Sequence, residues 1–234
     1  RLVCGRINSN SNKPIDKGFI YSNHLPITMS RRNNSIRKQM NSNPFMDERS
    51  VKAGESAENS FPKAAKVQGM ETRPASRHEQ RVDHFDFWMS PKRWRPDFSK
   101  RENMADKPRW SVEVKAMKRI SRASPKPQSK WLWIEFKNIT GGPGWIYGSA
   151  KFIATEVEDG FYLLPRQLLL NWATSVVDRE DKVTNPNQAQ YKSYTRHNRD
   201  DEMTLVELQA FLDYYLETKG KSALFMPKKQ NKNE

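Results

Sequence analysis

Five stretches rich in aromatic and β-branched residues follow a single helix-forming segment, and this order limits the folds open to the chain. Such residues favour strands, and Pro-, Gly- and Ser-containing connections separate the stretches. The predicted strands are 70–76, 84–89, 110–117, 131–138 and 151–164, the last with a turn at 158–160. We therefore expect a helix followed by a mostly antiparallel run of strands.

The segment 48–68 has the apolar spacing of an amphipathic helix, and Gly69 is placed to end it. Its predicted apolar stripe is Ala57, Phe61, Ala64 and Ala65. Pro62 would either kink this helix or lie in the first turn of one that begins near Ser60.

Two more helices are expected in the second half of the chain. One covers 167–177. The other begins at Thr204, which forms a capping-box pattern with Glu207, and its packed face is Leu205, Leu208, Leu212 and Tyr215. The polar segment 178–198 between them is predicted to be a loop.

The two ends of the chain are polar and basic. Residues 1–47 are rich in Asn, Ser, Lys and Arg without an apolar period, which is typical of a disordered arm. We expect one domain at 48–220 and a second basic tail at 221–234.

The net charge of the chain indicates the class of its partner and says nothing about catalysis. The chain has 41 Lys and Arg against 27 Asp and Glu, so its field attracts polyanions, and nucleic acid is the expected partner. The single cysteine, Cys4, excludes an internal disulfide and a multi-cysteine zinc site. No apolar run has the length of a membrane span, so we expect a soluble intracellular protein without a membrane partner.

The predicted strands 84–89 and 110–117 place three chemically active side chains near one another. Residues two apart share a face of a strand, so Glu113 and Lys115 project together, away from Val112 and Val114. Phe85 and Phe87 flank Asp86 and favour a carboxylate opposite an apolar face. Asp83 and Asp97 are the alternative acidic residues, and a turn or capping role accounts for Asp97.

An Asp followed by Glu-x-Lys on the adjoining strand, downstream of a helix with glutamates, resembles the PD-(D/E)XK superfamily of nucleases. The resemblance covers about 50–165 and implies an α/β, restriction-endonuclease-like core, a mixed central sheet flanked by helices. It implies that Asp86, Glu113 and the carbonyl of Val114 bind a metal and that Lys115 orients or activates water. Glu58, or Glu55 one turn earlier, matches the acidic residue on the helix.

The same resemblance implies Mg²⁺, with Mn²⁺ as an alternative, and phosphodiester hydrolysis of DNA. Mg²⁺ prefers oxygen ligands, keeps several bound waters, and is commonly held by one or two carboxylates together with the substrate phosphate. Two acidic residues beside a lysine suit this pattern. A homodimer is expected where both DNA strands must be cut.

Two features depart from a simple match to this pattern. Glu135-Phe136-Lys137 is a second Glu-x-Lys, and Glu135 is expected to line the same face from the next strand. Lys151 stands where some nucleases of this type carry an Asp, which favours altered metal chemistry, a DNA contact or an inactive descendant.

Cations interleaved with aromatic residues flank the predicted site. Such groups neutralise phosphates and stack on bases. The predicted nucleic-acid-binding residues are Arg93, Arg95, Lys100, Lys118, Arg119 and Arg122, whereas Trp131, Trp133 and Trp145 are expected in the core.

The sequence thus predicts a Mg²⁺-dependent DNA endonuclease. Two alternatives remain open, a non-catalytic nucleic-acid-binding protein on a degenerate nuclease fold and a ribosome-associated protein.

Overall fold

The computed structural model describes residues 48–102 and 104–229, so the predicted arm at 1–47 lies outside the described residues. Three helices are present in this part: α1 (Glu48–Val67), α2 (Arg166–Val176) and α3 (Leu208–Lys219). Its strands are β1 (Met70–Pro74), β2 (Phe87–Pro91), β3 (Trp110–Lys115), β4 (Trp131–Lys137), β5 (Phe152–Glu156), β6 (Gly160–Pro165), β7 (Asp178–Val183), β8 (Lys192–Tyr194), β9 (Glu202–Glu207) and β10 (Leu224–Pro227).

Two sheets organise these strands. The larger has the order β1-β2-β3-β5-β6-β10, and the smaller has the order β4-β9-β8-β7. In the larger sheet β3 and β5 are parallel and every other pair is antiparallel. In the smaller sheet β7 and β8 are parallel. The fold is therefore mixed α/β, with helices flanking mixed sheets.

Helix α1 covers one face of the larger sheet. Its four predicted apolar residues are fully buried, and they pack against Val112 and Val114 of β3 and Met226 of β10. The Phe61 ring centroid lies 5.6 Å from that of Phe87, in a tilted pair, and 5.5 Å from that of Phe161, in an edge-to-face pair. Because α1 continues through Pro62 from Glu48, the predicted start near Ser60 is wrong.

A second core fills the space between the other face of the larger sheet, the smaller sheet and helices α2 and α3. Leu132, Ile134 and Phe136 of β4 enter this core, as alternation along a strand requires. Trp131 and Trp133 of the same strand lie on the opposite face, in a small third core with Tyr194 and Leu205. Glu135 shares the face of Trp133.

Three sequence predictions are wrong. The expected loop at 178–198 contains β7 and β8. Their polar sequences do not indicate strands, and pairing between the two strands stabilises them. Thr204 to Glu207 belong to β9, so the last helix begins at Leu208 instead of at a Thr204 cap. Residues 224–227 of the expected tail form β10 and belong to the same compact unit as the rest of the described chain.

Strand 131–138 was expected to continue one sheet, and here too the structure differs. It is a strand, but it pairs with β9 in the smaller sheet and not with β3. Among the described residues, no helix combines the length and apolar character needed to cross a membrane.

Candidate active site

Strands β2 and β3 separate at Asp86, and this opening creates the candidate site. Their ladder ends with Phe87 opposite Val112, where the Asp86 N–H donates to the Val112 carbonyl at 2.9 Å. The next free N–H on β3, that of Val114, donates to Asp86 Oδ2 at 2.7 Å. A side-chain carboxylate therefore replaces the backbone partner that β2 no longer provides.

The backbone before Asp86 explains how β2 leaves the sheet. His84 has a left-handed φ of 54°, which breaks the extended path. The chain bends again at Asp86, so that Phe85 packs in the core between the sheets, with its ring centroid 5.0 Å from that of Trp88, while Phe87 packs against α1. The expectation that Phe85 and Phe87 share one apolar face is wrong, although Asp86 still points into the site.

Glu113 and Lys115 lie side by side on β3, as the pleat predicted. Lys115 Nζ is 2.5 Å from Glu113 Oε1, and the two side chains are 19% and 14% exposed. Val112 and Val114 are buried on the other face against α1, so the predicted division of the strand is confirmed. The ion pair is thus held in a half-buried environment with one side open.

Asp86 and Glu58 lie near Glu113 at this opening, and the pKa values of both are raised. Burial, together with the Glu113 charge, raises the pKa of Asp86 to about 7. Burial and the same Glu113 charge raise the pKa of Glu58 on α1, against a smaller opposing effect of Lys115. The structure therefore brings Glu58, Asp86, Glu113 and Lys115 together. Of the two helical acids that the sequence offered, Glu58 is half-buried and Glu55 is exposed.

Trp145, in the short helical turn Trp145–Tyr147 between β4 and β5, and Glu135 of β4 also act on Lys115. Its ammonium lies 5.0 Å from the centroid of the Trp145 ring, a cation–π distance. Burial raises the pKa of Glu135, while the charges of Lys115 and Lys118 and a hydrogen bond from the Trp145 backbone N–H oppose the rise. Glu135 therefore does approach the site, from β4 in the other sheet.

Gly144 makes this approach possible. A Cβ at this position would lie 2.1 Å from the Glu135 carbonyl oxygen, so only glycine lets the chain pass this close to β4. The Gly144 N–H donates to the Phe136 carbonyl at 2.9 Å, which fixes the short helical turn that begins at Trp145. Trp145 is thereby held beneath Lys115, a role that the sequence analysis missed.

The donor set fits a hard divalent cation. Asp86 and Glu113 are carboxylates that raise each other's energy when ionised, and a bound cation would relieve that repulsion. Across residues 48–102 and 104–229, no group of three or more His, Cys, Asp or Glu side chains has metal-binding geometry. A site here would thus rest on two carboxylates, with the Val114 carbonyl as the predicted third protein ligand.

The alternative acids have other roles. Asp97 accepts from the Ser99 N–H at 3.1 Å and the Ser99 hydroxyl at 2.6 Å, and these bonds lower its pKa, which confirms the turn role. The Asp83 carbonyl accepts from Ser149, at the end of a short helical turn. Lys151 is exposed at the residue before β5, and its N–H donates to the Ser111 carbonyl at 2.9 Å.

The predicted nucleic-acid-binding residues fall into two groups. Arg93, Arg95 and Lys100 lie in the connection between β2 and β3 that leaves from Pro91, about 16 Å along the strand from Asp86. The second group, Lys118, Arg119 and Arg122, directly follows the site end of β3. Lys118, Arg119 and Arg122 therefore follow the strand end that carries the acidic opening, whereas the connection with Arg93, Arg95 and Lys100 starts at the opposite end of β2.

Residues outside the predicted site also reach it. Arg196, between β8 and β9, acts on Glu135 electrostatically and forms an ion pair with the buried Asp201. No local pattern marks Arg196, because its position depends on pairing within the smaller sheet. Gly144 before Trp145 is the one local signal for the Trp145 contact.

No family model, curated protein or solved structure matches this chain.

Proposed function

We propose that this protein is a Mg²⁺-dependent DNA endonuclease with a restriction-endonuclease-like core of the PD-(D/E)XK type. The observation that carries the proposal is the meeting of Asp86, Glu113 and Lys115 where β2 and β3 part. Two carboxylates that could hold a divalent cation and an ammonium that could offset phosphate charge are groups that suit metal-dependent phosphodiester hydrolysis.

The order of elements supports the same proposal. Helix α1, β1, the strand that follows Asp86, and the strand with Glu113 and Lys115 occur in the order that the resemblance implies. β1, β2 and β3 are also neighbours in one sheet, with α1 against them. Glu58 on α1 approaches the carboxylates, as the resemblance implies for a helical acidic residue.

In this mechanism Asp86 and Glu113 hold the cation together with the Val114 carbonyl, and Mn²⁺ would suit the same oxygens. The cation would polarise the scissile phosphate and make a nearby water more acidic. Lys115 would orient a water for in-line attack on phosphorus, in which the opposite P–O ester bond breaks and its oxygen leaves, and the ammonium would offset the negative charge that develops on the phosphate oxygens. If Glu113 held the cation, Glu135 and Trp145 would still interact with the Lys115 ammonium.

Plasmid DNA and short linear or branched DNA, with Mg²⁺ or EDTA, test the proposal. We expect Mg²⁺-dependent nicking that falls at least about 100-fold in Glu113→Ala and in Lys115→Ala, because each removes charge stabilisation of the transition state. DNA binding should survive in both variants.

Lys137→Ala is the matched control, because Lys137 ends the second Glu-x-Lys and is exposed on β4. It should cleave like the wild type. Cleavage by Glu113→Ala and Lys115→Ala at the wild-type rate would refute the nuclease assignment.

One observation favours a second candidate, a non-catalytic nucleic-acid-binding protein on the same fold. Lys151 stands, exposed, at the position where the resemblance leads one to expect an Asp. Salt-sensitive DNA binding without cleavage in either Mg²⁺ or Mn²⁺ would support this candidate.

A further inference from the structure

A row of cations continues from Lys115 across the outer face of the smaller sheet. Lys115, Lys118 and Arg196 all act on the Glu135 carboxylate. Arg196, Arg122 and Arg199 act in turn on the Tyr194 hydroxyl, whose pKa is raised by burial and lowered by these charges. We define the basic face as Lys118, Arg122, Arg196 and Arg199.

Hydrogen bonds hold the first half of the basic face on β4. Gln128 donates to the Lys118 carbonyl at 3.2 Å and to the Trp131 carbonyl at 2.9 Å. The Trp133 indole N–H donates to the Arg119 carbonyl at 3.0 Å. The segment that carries Lys118 and Arg122 is therefore tied to β4 and to Gln128 before it through the carbonyls of Lys118 and Arg119.

A buried acid holds the second half. The side chain of Asp201 is fully buried, accepts from the Arg196 backbone N–H at 3.1 Å and forms an ion pair with its guanidinium. The Trp133 and Tyr194 rings, 5.5 Å apart, join the two halves. The Lys118 backbone and the Arg196 side chain are thus held in place before an anion binds, which reduces the entropy lost on binding.

The chemistry of the basic face favours duplex phosphates. The Trp133 ring packs on Tyr194 and the Trp131 ring on Tyr191, and both partly buried tryptophans belong to the third core with Leu205. Single-strand binders instead offer aromatic surfaces on which unpaired bases stack. A face of cations without such a platform suits the outside of a duplex, where contacts to phosphates dominate.

We propose that the basic face binds backbone phosphates of duplex DNA next to the phosphate that Lys115 contacts. The identification of the phosphate at Lys115 as the scissile one rests on the proposed function. Phosphate binding by the basic face does not depend on it. The smaller sheet is then the part of the molecule that seats the duplex, and the larger sheet carries the opening between β2 and β3.

The experiment measures binding of the full chain to a labelled DNA duplex in EDTA over a range of salt concentrations. The variant Lys118→Gln with Arg122→Gln removes two side chains that reach solvent and leaves the Arg196–Asp201 ion pair in place. Burial and the Lys115 charge lower the pKa of Lys118, and a bound phosphate would favour its charged form. We expect affinity to fall at least tenfold near 0.1 M salt, and the slope of log K against log salt to decrease by about 2, roughly 0.9 per phosphate contact.

Lys63→Gln with Lys66→Gln is the matched control, because both lysines are exposed on α1, against the opposite face of the larger sheet. This control should keep the wild-type slope. An unchanged slope in the Lys118 and Arg122 variant, or an equal loss in the control, would overturn the proposal. So would better competition by single-stranded DNA than by duplex at equal nucleotide concentration.

Cleavage with Mg²⁺ separates this inference from the proposed function. If the wild type binds duplex through the basic face but does not cleave it, the basic-face proposal stands and the nuclease proposal fails. If the wild type cleaves and the Lys118 and Arg122 variant binds with an unchanged slope, the nuclease proposal stands and the basic-face proposal fails.

Discussion

At the scale of single residues, Asp86 joins structure and candidate chemistry in one side chain. Its carboxylate satisfies the Val114 N–H where β2 leaves the sheet, and it also faces Glu113. One role orders the strands, and the other places two negative charges together at a cost in free energy. Residues with such conflicting demands are typical of functional sites.

The raised pKa of Asp86, about 7, has a consequence for stability without metal. Between about pH 4, where an unfolded Asp ionises, and pH 7 the folded chain keeps a proton that the unfolded chain releases, so this group lowers stability as pH rises. Asp86→Asn keeps an oxygen for Val114 and removes the charge. In EDTA we expect the variant to have a Tm a few degrees above the wild type at pH 8 and an equal Tm near pH 4.

Thermal unfolding at both pH values, repeated with Mg²⁺, checks this expectation. Mg²⁺ should raise the Tm of the wild type and leave that of Asp86→Asn nearly unchanged, because the cation stabilises only the form that binds it. A wild-type Tm that does not fall relative to the variant between pH 4 and pH 8 would contradict the raised pKa.

At the scale of elements, a short helical turn before Asp86 is fastened to the sheet by Glu79. The Ser76 N–H donates to Glu79 Oε2 at 2.6 Å, and the Glu79 N–H donates to the Ser76 hydroxyl at 3.2 Å, a reciprocal pair of the capping-box kind. The Trp88 indole N–H donates to Glu79 Oε1 at 2.7 Å. The turn that delivers Asp86 is thus tied to β2 by one carboxylate.

These bonds lower the pKa of Glu79 to about 2, chiefly through the Ser76 N–H and then the Trp88 indole. A lowered folded-state pKa means that the stabilisation is present above about pH 4.5 and is lost as pH falls towards 2. Glu79→Gln should lower the Tm at pH 7 and remove this part of the acid dependence. A carboxylate titration by NMR and a pH series of Tm values measure both effects.

Glu217→Gln, an exposed change on α3, is the matched control and should leave the Tm unchanged. A Glu79 carboxylate that titrates near 4.5 in the folded protein would remove the basis of the prediction.

At the scale of the whole molecule, a strand from the far end of the chain completes the core beneath the site. β10 pairs with β6, and Met226 is fully buried against α1 with Phe61 and Phe161. Lys228 adds an ion pair to Glu156 at 3.0 Å and a hydrogen bond to the Val157 carbonyl at 2.8 Å. Residues that look like a polar tail therefore hold the edge of the larger sheet.

Met226→Ala should lower the free energy of unfolding by about 2–5 kcal/mol, because it leaves a cavity in a packed core. Denaturant unfolding measures the change. Met104→Ala, at a side chain that is 67% exposed, should cost little. Equal and small effects of the two changes would mean that β10 is not part of the cooperative unit.

Local pattern predicted the parts of this protein that depend on neighbours in sequence. The apolar stripe of α1, the stop at Gly69 and the opposite faces of Glu113 and Val114 follow from helix and strand periods. The strand period also placed Glu113 and Lys115 side by side, whereas Asp86 joined them as a residue that the resemblance implies.

Tertiary structure alone decided what depends on distant partners. The polar β7 has a sequence typical of a loop, and it becomes a strand because β8 pairs with it and Arg179 makes a bidentate ion pair with the buried Glu202. Thr204 has a capping pattern but is buried in β9, since cross-strand pairing with β4 outweighs a local cap. Lys115 likewise interacts with Glu135 of the smaller sheet and with Trp145 of the turn after β4, and such long-range contacts leave no periodic signal in the chain.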